Sequence, residues 1–566
     1  MTPVVAAMVA LAADRAHADP ALWIARLSDD AVSERARALE AEGPRGRPLW
    51  GVPFAVKDNI DVAGLPTTAG CPGFAYTPTA NAPTVQRLLD AGAILLGKAN
   101  MDQFAAGLAG VRSPYGTPRN VFDPARAPGG SSSGSACAVA AGVVTFALGT
   151  DTAGSGRVPA AFGNIVGLKP TLGSLSTRGV VPACRSLDAV SIFAGTVDEA
   201  LAVARVASGF DEADPYSRVA PFPHLRRSAD AARVACIDPA GCAPETARLY
   251  ANSAARAGAT PVDIGTFLSV ARLLYEGPWV AERTAAVREL VERRPELLHP
   301  TTRSILEAGL TRRSVDAFDA FHAVAVARRE AALLFRRFDA LLLPTTPFCP
   351  TLDELARDPV GANSRLGTYT NFVNLCDLAA IAVPAGFGAD GLPVGVTVVG
   401  PAWSEGRLAA LADRLHRAAV ATMGATEQPL RLAAAPDPLA SDETALFCIG
   451  AHMSGLPLNH QVTALGGRLL RAARTDAAYR LFALGARPGL VRGGTGEIDG
   501  EIWAVPTAAI GALLAQVPPP LCFGTVALSG GPCLGFLAEA DGIGAAEDIT
   551  HHGGWRGWLA HKEARP

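Results

Sequence analysis

Three short stretches carry residue types that could perform nucleophilic chemistry. Lys57 ends the apolar run "GVPFAVK", Ser131 opens the serine triplet of "RAPGGSSSGSA", and Ser155 lies in the turn "GTDTAGSGR". A lysine at the end of a buried strand loses solvation, which disfavours its ammonium form and favours a neutral base. A serine hydroxyl needs such a base to become a useful nucleophile. The three stretches therefore predict a Ser–Lys site, provided that the fold brings them together.

The glycine–serine run itself fits three uses: a flexible linker, a phosphate-binding loop or part of a catalytic centre. A phosphate loop of the GxxxxGK[ST] type needs a lysine that is missing here, and neither GxSxG nor GxGxxG occurs at this point. An apolar segment, "ACAVAAGVVTFALG", follows without a break and is predicted to be helical. A linker would not run directly into a buried helix. The pattern favours the catalytic centre.

The elements around these stretches alternate between helices and short apolar strands. Residues 11–43 are predicted to be helical, with a second helix, "DDAVSERARALEAEG", that ends at Gly43. The stretch "PLWGVPFAVKDNIDVAG" is predicted to be a strand that enters a turn, and "TVQRLLDAGAILLGKANM" a helix, a turn and a buried strand. Such alternation indicates an α/β fold, a mixed sheet flanked by helices.

The chain has 566 residues, enough for more than one domain. Residues 1–425 are predicted to form the first domain. Residues 426–443 shift to proline, alanine and acidic residues without periodicity, which is typical of a linker. Residues 444–566 are rich in glycine and short apolar strands, and they predict a small α+β or barrel-like domain.

Composition excludes several classes of function. Only 18% of the residues are charged and the net charge is -3, so there is no electrostatic footprint for nucleic acid and no polybasic stretch for a membrane surface. The apolar N-terminal run lacks a basic flank and is interrupted by Asp14 and Arg15, which favours an amphipathic helix over a signal peptide. No stretch is apolar enough to span a bilayer. Ten cysteines without CxxC spacing predict reduced thiols in a cytoplasmic protein.

The three stretches, with "LGKANMDQFAAG" and "PVGVTVVGP", resemble the amidase signature family of serine hydrolases over about residues 20–420. The resemblance implies the amidase signature fold, with Lys57 as base, Ser131 as bridging serine on a cis non-proline peptide bond, and Ser155 as nucleophile. Ser131 precedes Ser155 by 24 positions, as the family pattern requires. Backbone N–H groups of Thr152, Ala153 and Gly154, together with that of Ser155, would form the oxyanion hole. Ser133 departs from the family pattern, since many members have glycine there.

The stretch "LLYEGPWVAERTAAV" predicts Tyr275 and Arg283 two turns apart on one helix face. An arginine offers a planar fork for a carboxylate. This stretch and the C-terminal unit together resemble the allophanate hydrolase family. That resemblance implies hydrolysis of allophanate to ammonia and N-carboxycarbamate in urea degradation, with Tyr275 and Arg283 holding the substrate carboxylate. It also implies a homodimer and a separate biotin-dependent urea carboxylase that supplies the substrate.

The C-terminal unit opens with "LFCIGAHMSGLPLNHQV", which resembles the start of the gamma-glutamylcyclotransferase-like fold. Ile449 and Gly450 replace the usual Tyr-Gly, and no equivalent of that fold's catalytic glutamate is found. In allophanate hydrolases this domain is implicated in decarboxylating the first product. The candidates for proton handling are His452 and His460, and those for anion contacts are Asn459, Tyr479 and Arg492.

Neither a metal nor an organic cofactor is expected, because HExxH, clustered His/Cys and a biotin-acceptor "MKM" are all missing. Two alternative functions share the same triad: the A-type component of glutamyl-tRNA amidotransferase and a broad-specificity amidase. A third alternative treats residues 444–566 as a binding or oligomerisation module without chemistry.

Overall fold

Buried apolar runs form the strands of the larger of two units in the computed structural model, which describes residues 1–430 and 432–564. This unit comprises Met1–Ala220 and Val234–Ala433, and the second comprises Pro221–Arg233 and Ala434–Pro566. Arg431 of the predicted linker and residues 565 and 566 lie outside the described residues. No sequence pattern signals that residues 221–233 group with the second unit. A backbone hydrogen bond explains this grouping, because the Ala229 N–H donates to Leu469 O at 3.1 Å.

The strands of the first unit are β1 (Trp23–Arg26), β2 (Pro53–Lys57), β3 (Ile94–Ala99), β4 (Phe146–Asp151), β5 (Val166–Lys169), β6 (Ala189–Ala194), β7 (Val234–Cys236), β8 (Thr260–Pro261), β9 (Ala340–Pro344), β10 (Leu378–Phe387) and β11 (Pro393–Pro401). Within the described residues they form one eleven-stranded sheet in the order β1-β3-β2-β4-β6-β5-β10-β11-β9-β7-β8. The sheet is mixed, because β3, β2 and β4 run parallel whereas β4, β6, β5 and β10 pair antiparallel.

The parallel pairing of β2 with β4 positions the site. Phe54, Ala55 and Val56 lie opposite residues 146–148, so the carboxyl ends of the two strands lie side by side. Lys57 ends one strand and Asp151 ends the other. Every residue of both strands is buried, as the continuous apolar runs indicate.

The helices of the first unit flank this sheet. They are α1 (Pro3–His17), α2 (Asp29–Glu42), α3 (Pro83–Asp90), α4 (Ser133–Ala140), α5 (Val158–Phe162), α6 (Val197–Ala207), α7 (Pro244–Arg256), α8 (Gly265–Glu276), α9 (Trp279–Ala286), α10 (Arg288–Arg293), α11 (Pro300–Gly309), α12 (Ser314–Arg337), α13 (Leu352–Arg357), α14 (Gly361–Leu366), α15 (Asn371–Leu375) and α16 (Glu405–Ala419). The predicted α/β class with a mixed sheet is confirmed.

Local predictions are confirmed where the period is strong. Helix α2 has Gly43 as its C-cap, and α3 and β3 follow the predicted order. The prediction that residues 11–43 are helical is wrong for residues 18–28, which lie between the two helices. Helix α1 ends at His17 with Ala18 in the left-handed region, and β1 then pairs antiparallel with β3. The predicted helix after the serine triplet ends at Ala140, and its last residues belong to β4.

The second unit is a small α+β domain. Its strands are β12 (Glu443–Cys448), β13 (Arg468–Arg474), β14 (Tyr479–Leu484), β15 (Arg487–Arg492), β16 (Asp499–Pro506), β17 (Leu521–Leu528), β18 (Gly531–Ala538) and β19 (Glu547–Asp548), and its helices are α17 (Asn459–Ala464), α18 (Ile510–Leu514) and α19 (Trp555–Glu563). In the described part, β13-β16-β12-β18-β17 form one sheet and β15-β14-β19 another. Phe447 and Trp503 lie fully buried in its core.

No helix among residues 1–430 and 432–564 is long and apolar enough to cross a membrane.

Candidate active site

Lys57 lies at the carboxyl end of β2, fully buried, and contacts two hydroxyl groups. Its Nζ lies 2.8 Å from Ser131 Oγ and 2.7 Å from Thr150 Oγ1 on the neighbouring strand β4. Burial lowers the pKa of the Lys57 ammonium to about 7. Near neutral pH the amine can therefore shed its proton and accept one from Ser131.

Nearby charges act on the Lys57 pKa in opposite directions. Three buried carboxylates attract the ammonium and limit the shift, and these are Asp102, Asp188 and Asp151. The Arg283 guanidinium repels the ammonium and adds to the lowering. Burial outweighs the attraction, so the group has the pKa of a general base.

The serine triplet divides its contacts among three partners. Ser131 contacts Lys57, whereas the Ser132 hydroxyl donates to Thr150 O at 3.2 Å and that of Ser133 to Asn100 O at 3.5 Å. The Gly130–Ser131 peptide bond is cis. A Cβ at Gly130 would collide with Asp102 Oδ2, so only glycine fits this close approach.

Ser155 lies in the turn between β4 and α5, with 3% of its surface exposed. Its hydroxyl makes no hydrogen bond to a described residue, which leaves it available to a ligand. The turn is fixed by the Asp151 carboxylate, which accepts from Gly154 N–H at 2.9 Å, Gly156 N–H at 3.0 Å and the Arg157 guanidinium at 2.8 Å. Burial opposes ionisation of Asp151, but the charge and hydrogen bond of Arg157, the charge of Lys169 and the Gly156 N–H together outweigh burial and hold the pKa of Asp151 below its usual value.

The oxyanion donors predicted in this turn do not all remain free. The Gly154 N–H is engaged by Asp151, whereas those of Thr152, Ala153 and Ser155 have no acceptor among the described residues. Gly154 itself has φ 128°, and a Cβ there would collide with Thr370 Oγ1. Thr370 in turn donates its hydroxyl to Ala153 O at 2.6 Å. The turn is therefore held from both sides, with its unengaged N–H groups beside Ser155.

Tyr275 and Arg283 contact each other, although they do not share one helix. Pro278 cannot continue α8 because it lacks an N–H, so Tyr275 lies on α8 and Arg283 on α9. The Arg283 guanidinium carbon lies 4.8 Å from the Tyr275 ring centre, and Nη2 lies 3.4 Å from the Tyr275 hydroxyl. The single-helix face predicted from the sequence is wrong, but the pairing persists.

Arg283 is a buried cation without a hydrogen-bonded anion among the described residues. It is 2% exposed, Nη1 donates to Ala105 O at 3.4 Å, and Nε has no partner in the described part of the chain. Burial opposes its charge, but the Tyr275 hydroxyl and nearby acids outweigh burial and raise the pKa of Arg283 above its usual value. A buried guanidinium with an unused N–H can accept a planar anion.

The candidates in the second unit form two groups. Asn459 donates to His452 O at 2.8 Å, and the His452 ring stacks on Phe536 while Nε2 lies 2.9 Å from Gln461 Oε1. Burial lowers the pKa of His452. His460 is exposed, and its Nδ1 lies 2.8 Å from Pro457 O.

Tyr479 and Arg492 form the second group, paired across β14 and β15. The Tyr479 hydroxyl accepts from Ala527 N–H at 2.7 Å, and Arg492 donates to Thr525 O. Among the described residues, no hydrogen bond or ring contact joins this group to that of His452.

Sequence reasoning missed a buried carboxylate of the second unit. Glu501 accepts from Ser454 N–H at 2.7 Å, Trp503 Nε1 at 3.1 Å and the Arg556 guanidinium at 2.8 Å. It lines a cavity of about 280 Å³ together with His552. Ser454 and Arg556 come from distant parts of the chain, so no local pattern signals the site.

The first unit also holds site residues that the sequence did not single out. Thr150 contacts Lys57, and Asp188 accepts from the hydroxyl of Thr152. The motif "GTDTAGSGR" contains Thr150 and could have signalled it, whereas Asp188 follows no recognisable pattern.

A buried lysine–serine pair beside a glycine turn with free N–H groups defines the class of protein, and the family comparisons agree. The Amidase family model matches residues 7–409, and the chain is an amidohydrolase of that family. The model described as Allophanate hydrolase C-terminal domain matches residues 444–560.

Within the amidases, the chain belongs to the allophanate hydrolase family. The structure of Kluyveromyces lactis allophanate hydrolase is 39% identical, with 99% of this chain and 97% of that chain covered and a TM-score of 0.79. The Saccharomyces cerevisiae urea amidolyase is 41% identical over 95% of this chain, but the chain spans only 31% of that protein's length. The A-type component of the Nitratidesulfovibrio vulgaris glutamyl-tRNA(Gln) amidotransferase is 36% identical over 69% of this chain and 88% of its own length.

Proposed function

We propose that this chain hydrolyses allophanate to ammonia and N-carboxycarbamate. The observation that carries the proposal is Arg283, a buried guanidinium beside Tyr275 that is close enough to Lys57 to lower its pKa. Allophanate is a small amide with a carboxylate, and a carboxylate is the group that such an arginine binds. The relatives named allophanate hydrolase and urea amidolyase support this substrate. Purified chain should release ammonia from allophanate and none from glutamine, whereas a glutamine-dependent amidotransferase would show the reverse.

The proposed mechanism uses Lys57, Ser131 and Ser155. Neutral Lys57 accepts a proton from Ser131, which accepts one from Ser155 as the Ser155 oxygen attacks the terminal amide carbonyl. The N–H groups of Thr152, Ala153 and Ser155 stabilise the resulting oxyanion. Lys57 returns its proton to the leaving nitrogen through the same relay, and ammonia departs. Water then attacks the acyl-enzyme and releases N-carboxycarbamate.

The kcat/KM for allophanate should depend on one proton near neutral pH. The Lys57 pKa is lowered from its ordinary value to about 7, and only the neutral amine is a base. We expect kcat/KM to rise with a slope of one below pH 7 and to level off above it. Initial rates from pH 5.5 to 9, with recovery of activity after return to pH 8, measure this. A profile that stays flat across pH 7 would contradict Lys57 as the base.

We also propose that the second unit removes CO2 from N-carboxycarbamate. One C–N bond breaks, its electron pair stays on nitrogen, and that nitrogen takes a proton from water through the His452 ring, which leaves carbamate. The pKa of His452 is lowered by burial, which keeps the ring neutral and able to exchange protons at pH 7. His460, Asn459, Tyr479 and Arg492 are the further candidates, and the cavity beside Glu501 offers a second location. The alternative is a unit that binds or associates without chemistry.

Replacing His452 by glutamine should leave the first step unchanged and slow the second. General acid–base groups contribute about 10²–10⁴-fold, so a carboxylated intermediate should accumulate while the first ammonia appears at the wild-type rate. Carbon-13 NMR at alkaline pH, where carbamates persist, follows both species. His460→Gln is the matched control on the exposed side. Equal CO2 release from all three proteins would favour the non-catalytic unit.

A cytoplasmic homodimer that receives allophanate from a separate biotin-dependent urea carboxylase completes the proposal. The relatives named urea amidolyase support the functional link to urea. Helix α12 supports association, since Phe318 and Phe321 are 64% and 57% exposed. Asp319 lies towards one end of this helix and Arg336 at the other, so two antiparallel copies would bring opposite charges together. Light scattering of the purified chain tests the dimer.

A further inference from the structure

A buried carboxylate that the proposed mechanism does not use lies beside the nucleophile turn. Asp188 precedes β6 and accepts three hydrogen bonds, from the Thr152 hydroxyl at 2.5 Å, Ala183 N–H at 2.9 Å and Cys184 N–H at 3.1 Å. Burial raises the pKa of Asp188 to about 6, against the opposing effects of these bonds and of Arg283. At neutral pH the group is an anion whose strongest contact is a single threonine hydroxyl.

That hydroxyl belongs to Thr152, whose backbone N–H is a candidate donor to the oxyanion. The Thr152 N–H has no acceptor among the described residues and lies in the turn that carries Ser155. A charge-assisted hydrogen bond is about twice as strong as a neutral one, so Asp188 fixes the side chain and with it the direction of the N–H. Asn374 holds the same two segments at a second point, because its amide donates to Asp151 O at 2.8 Å and to Leu187 O at 2.9 Å.

The other side of the segment 183–188 contacts the helix that carries Arg283. The N–H and hydroxyl of Ser186 donate to the two oxygens of Glu282 at 2.8 and 2.7 Å. The Cys184 thiol lies 3.6 Å from Trp279 O, at the first residue of α9. Glu282 precedes Arg283 in the chain, so hydrogen bonds join α9 to the segment that ends at Asp188 one residue away from Arg283.

The geometry points to Asp188 as a positioning residue that holds Thr152 in place for the oxyanion, with the segment 183–188 linking Arg283 to the nucleophile turn. Binding of a carboxylate at Arg283 and stabilisation of the oxyanion are then mechanically connected. This inference rests on the proposed function, because it takes an anionic amide as the substrate. Removal of one oxyanion donor costs about 10²–10³-fold in rate, which sets the upper limit for the effect of misplacing one.

Two substitutions of Thr152 test the positioning role. Thr152→Val keeps the branched shape but loses the hydroxyl, and Thr152→Ser keeps the hydroxyl. We expect the valine variant to lower kcat for allophanate about 10- to 100-fold with little change in KM. The serine variant should stay within about threefold of wild type, and both should melt within a few degrees of each other.

The Asp188→Asn variant and a double variant identify the partner. Asp188→Asn removes the carboxylate that binds Thr152 and also a negative charge near Lys57. Adding Thr152→Val to Asp188→Asn should therefore lower kcat no further than Asp188→Asn alone, because the contact with Thr152 is already broken. Glu282→Gln should lower kcat about threefold. The control is Glu292→Gln, which changes an exposed carboxylate on α10 and should leave kcat unchanged.

Wild-type activity separates the two conclusions. If wild type releases no ammonia from allophanate, the proposed function is wrong. If wild type is active but the valine and serine variants share one kcat, or differ in KM alone, the positioning role is wrong and the proposed function stands. Multiplicative losses in the double variant would likewise overturn the contact between Asp188 and Thr152 as the cause.

Discussion

Replacing Lys57 by methionine should lower kcat for allophanate by about 10⁴-fold or more while leaving the protein folded. Loss of the base leaves Ser131 and Ser155 protonated, and removal of one member of such a relay costs about as much as removal of all of them. Methionine has nearly the same length as lysine and fills the space at the end of β2. Single-turnover ammonia release measures the loss.

The same variant should be at least as stable as wild type, and the difference should depend on pH. Folding lowers the Lys57 pKa from 10.5 to about 7, so between these values the unfolded chain binds the extra proton. The free energy of unfolding of wild type therefore increases as the pH rises through this window. That of the Lys57→Met protein lacks this increase. Its stability advantage should be largest below pH 7 and shrink towards pH 10.

Chemical denaturation of both proteins at several pH values checks this result. Lys98→Met is the matched control, because Lys98 is equally buried but lies 3.4 Å from the Asp58 carboxylate. Removing Lys98 leaves a buried anion unpaired and should destabilise the fold. A Lys57→Met protein that is much less stable at every pH would show that Lys57 serves the fold rather than the chemistry.

Local periodicity predicted the parts of the fold that depend on neighbours in sequence. Helix α2 with its glycine cap, β2, α3 and β3 follow from apolar spacing and turn residues. Strand β1 does not, because its four residues become a strand only by pairing with β3, which is about 70 positions away. The same holds for residues 221–233, whose place in the second unit depends on a pairing with residue 469.

The site residues also separate into those that local patterns predict and those that depend on distant contacts. Motif spacing singled out Ser131 and Ser155, and the end of an apolar strand singled out Lys57. The residues that hold them are distant in sequence: Asn374 reaches Asp151 across 223 positions, and Thr370 reaches Ala153 across 217. No single-sequence pattern reports such contacts, which is why the contact of Asp188 with Thr152, 36 positions away, becomes visible only in the fold.

The break between α8 and α9 shows that two residues can be predicted to meet correctly although the predicted single helix is wrong. Residues eight positions apart face the same side of a continuous helix, and the prediction for Tyr275 and Arg283 used this rule. Helix α8 ends before Pro278, yet the cation and the ring still meet because α8 and α9 pack against each other. A stacked arginine loses freedom and is aligned for a planar anion.

Arg283→Ala should lower kcat/KM for allophanate by about 10²–10³-fold, which corresponds to the loss of a buried, hydrogen-bonded ion pair with the substrate carboxylate. Since Arg283 repels the Lys57 ammonium, its loss should also move the acid limb of the kcat/KM profile to higher pH. Arg283→Lys keeps the charge without the fork and should retain part of the affinity but none of the pH shift. With a neutral amide of similar size as substrate, the same variants should lose little of their kcat/KM. Equal losses on charged and neutral amides would show that Arg283 supports the fold of α9, and unchanged activity on allophanate would remove it from substrate binding.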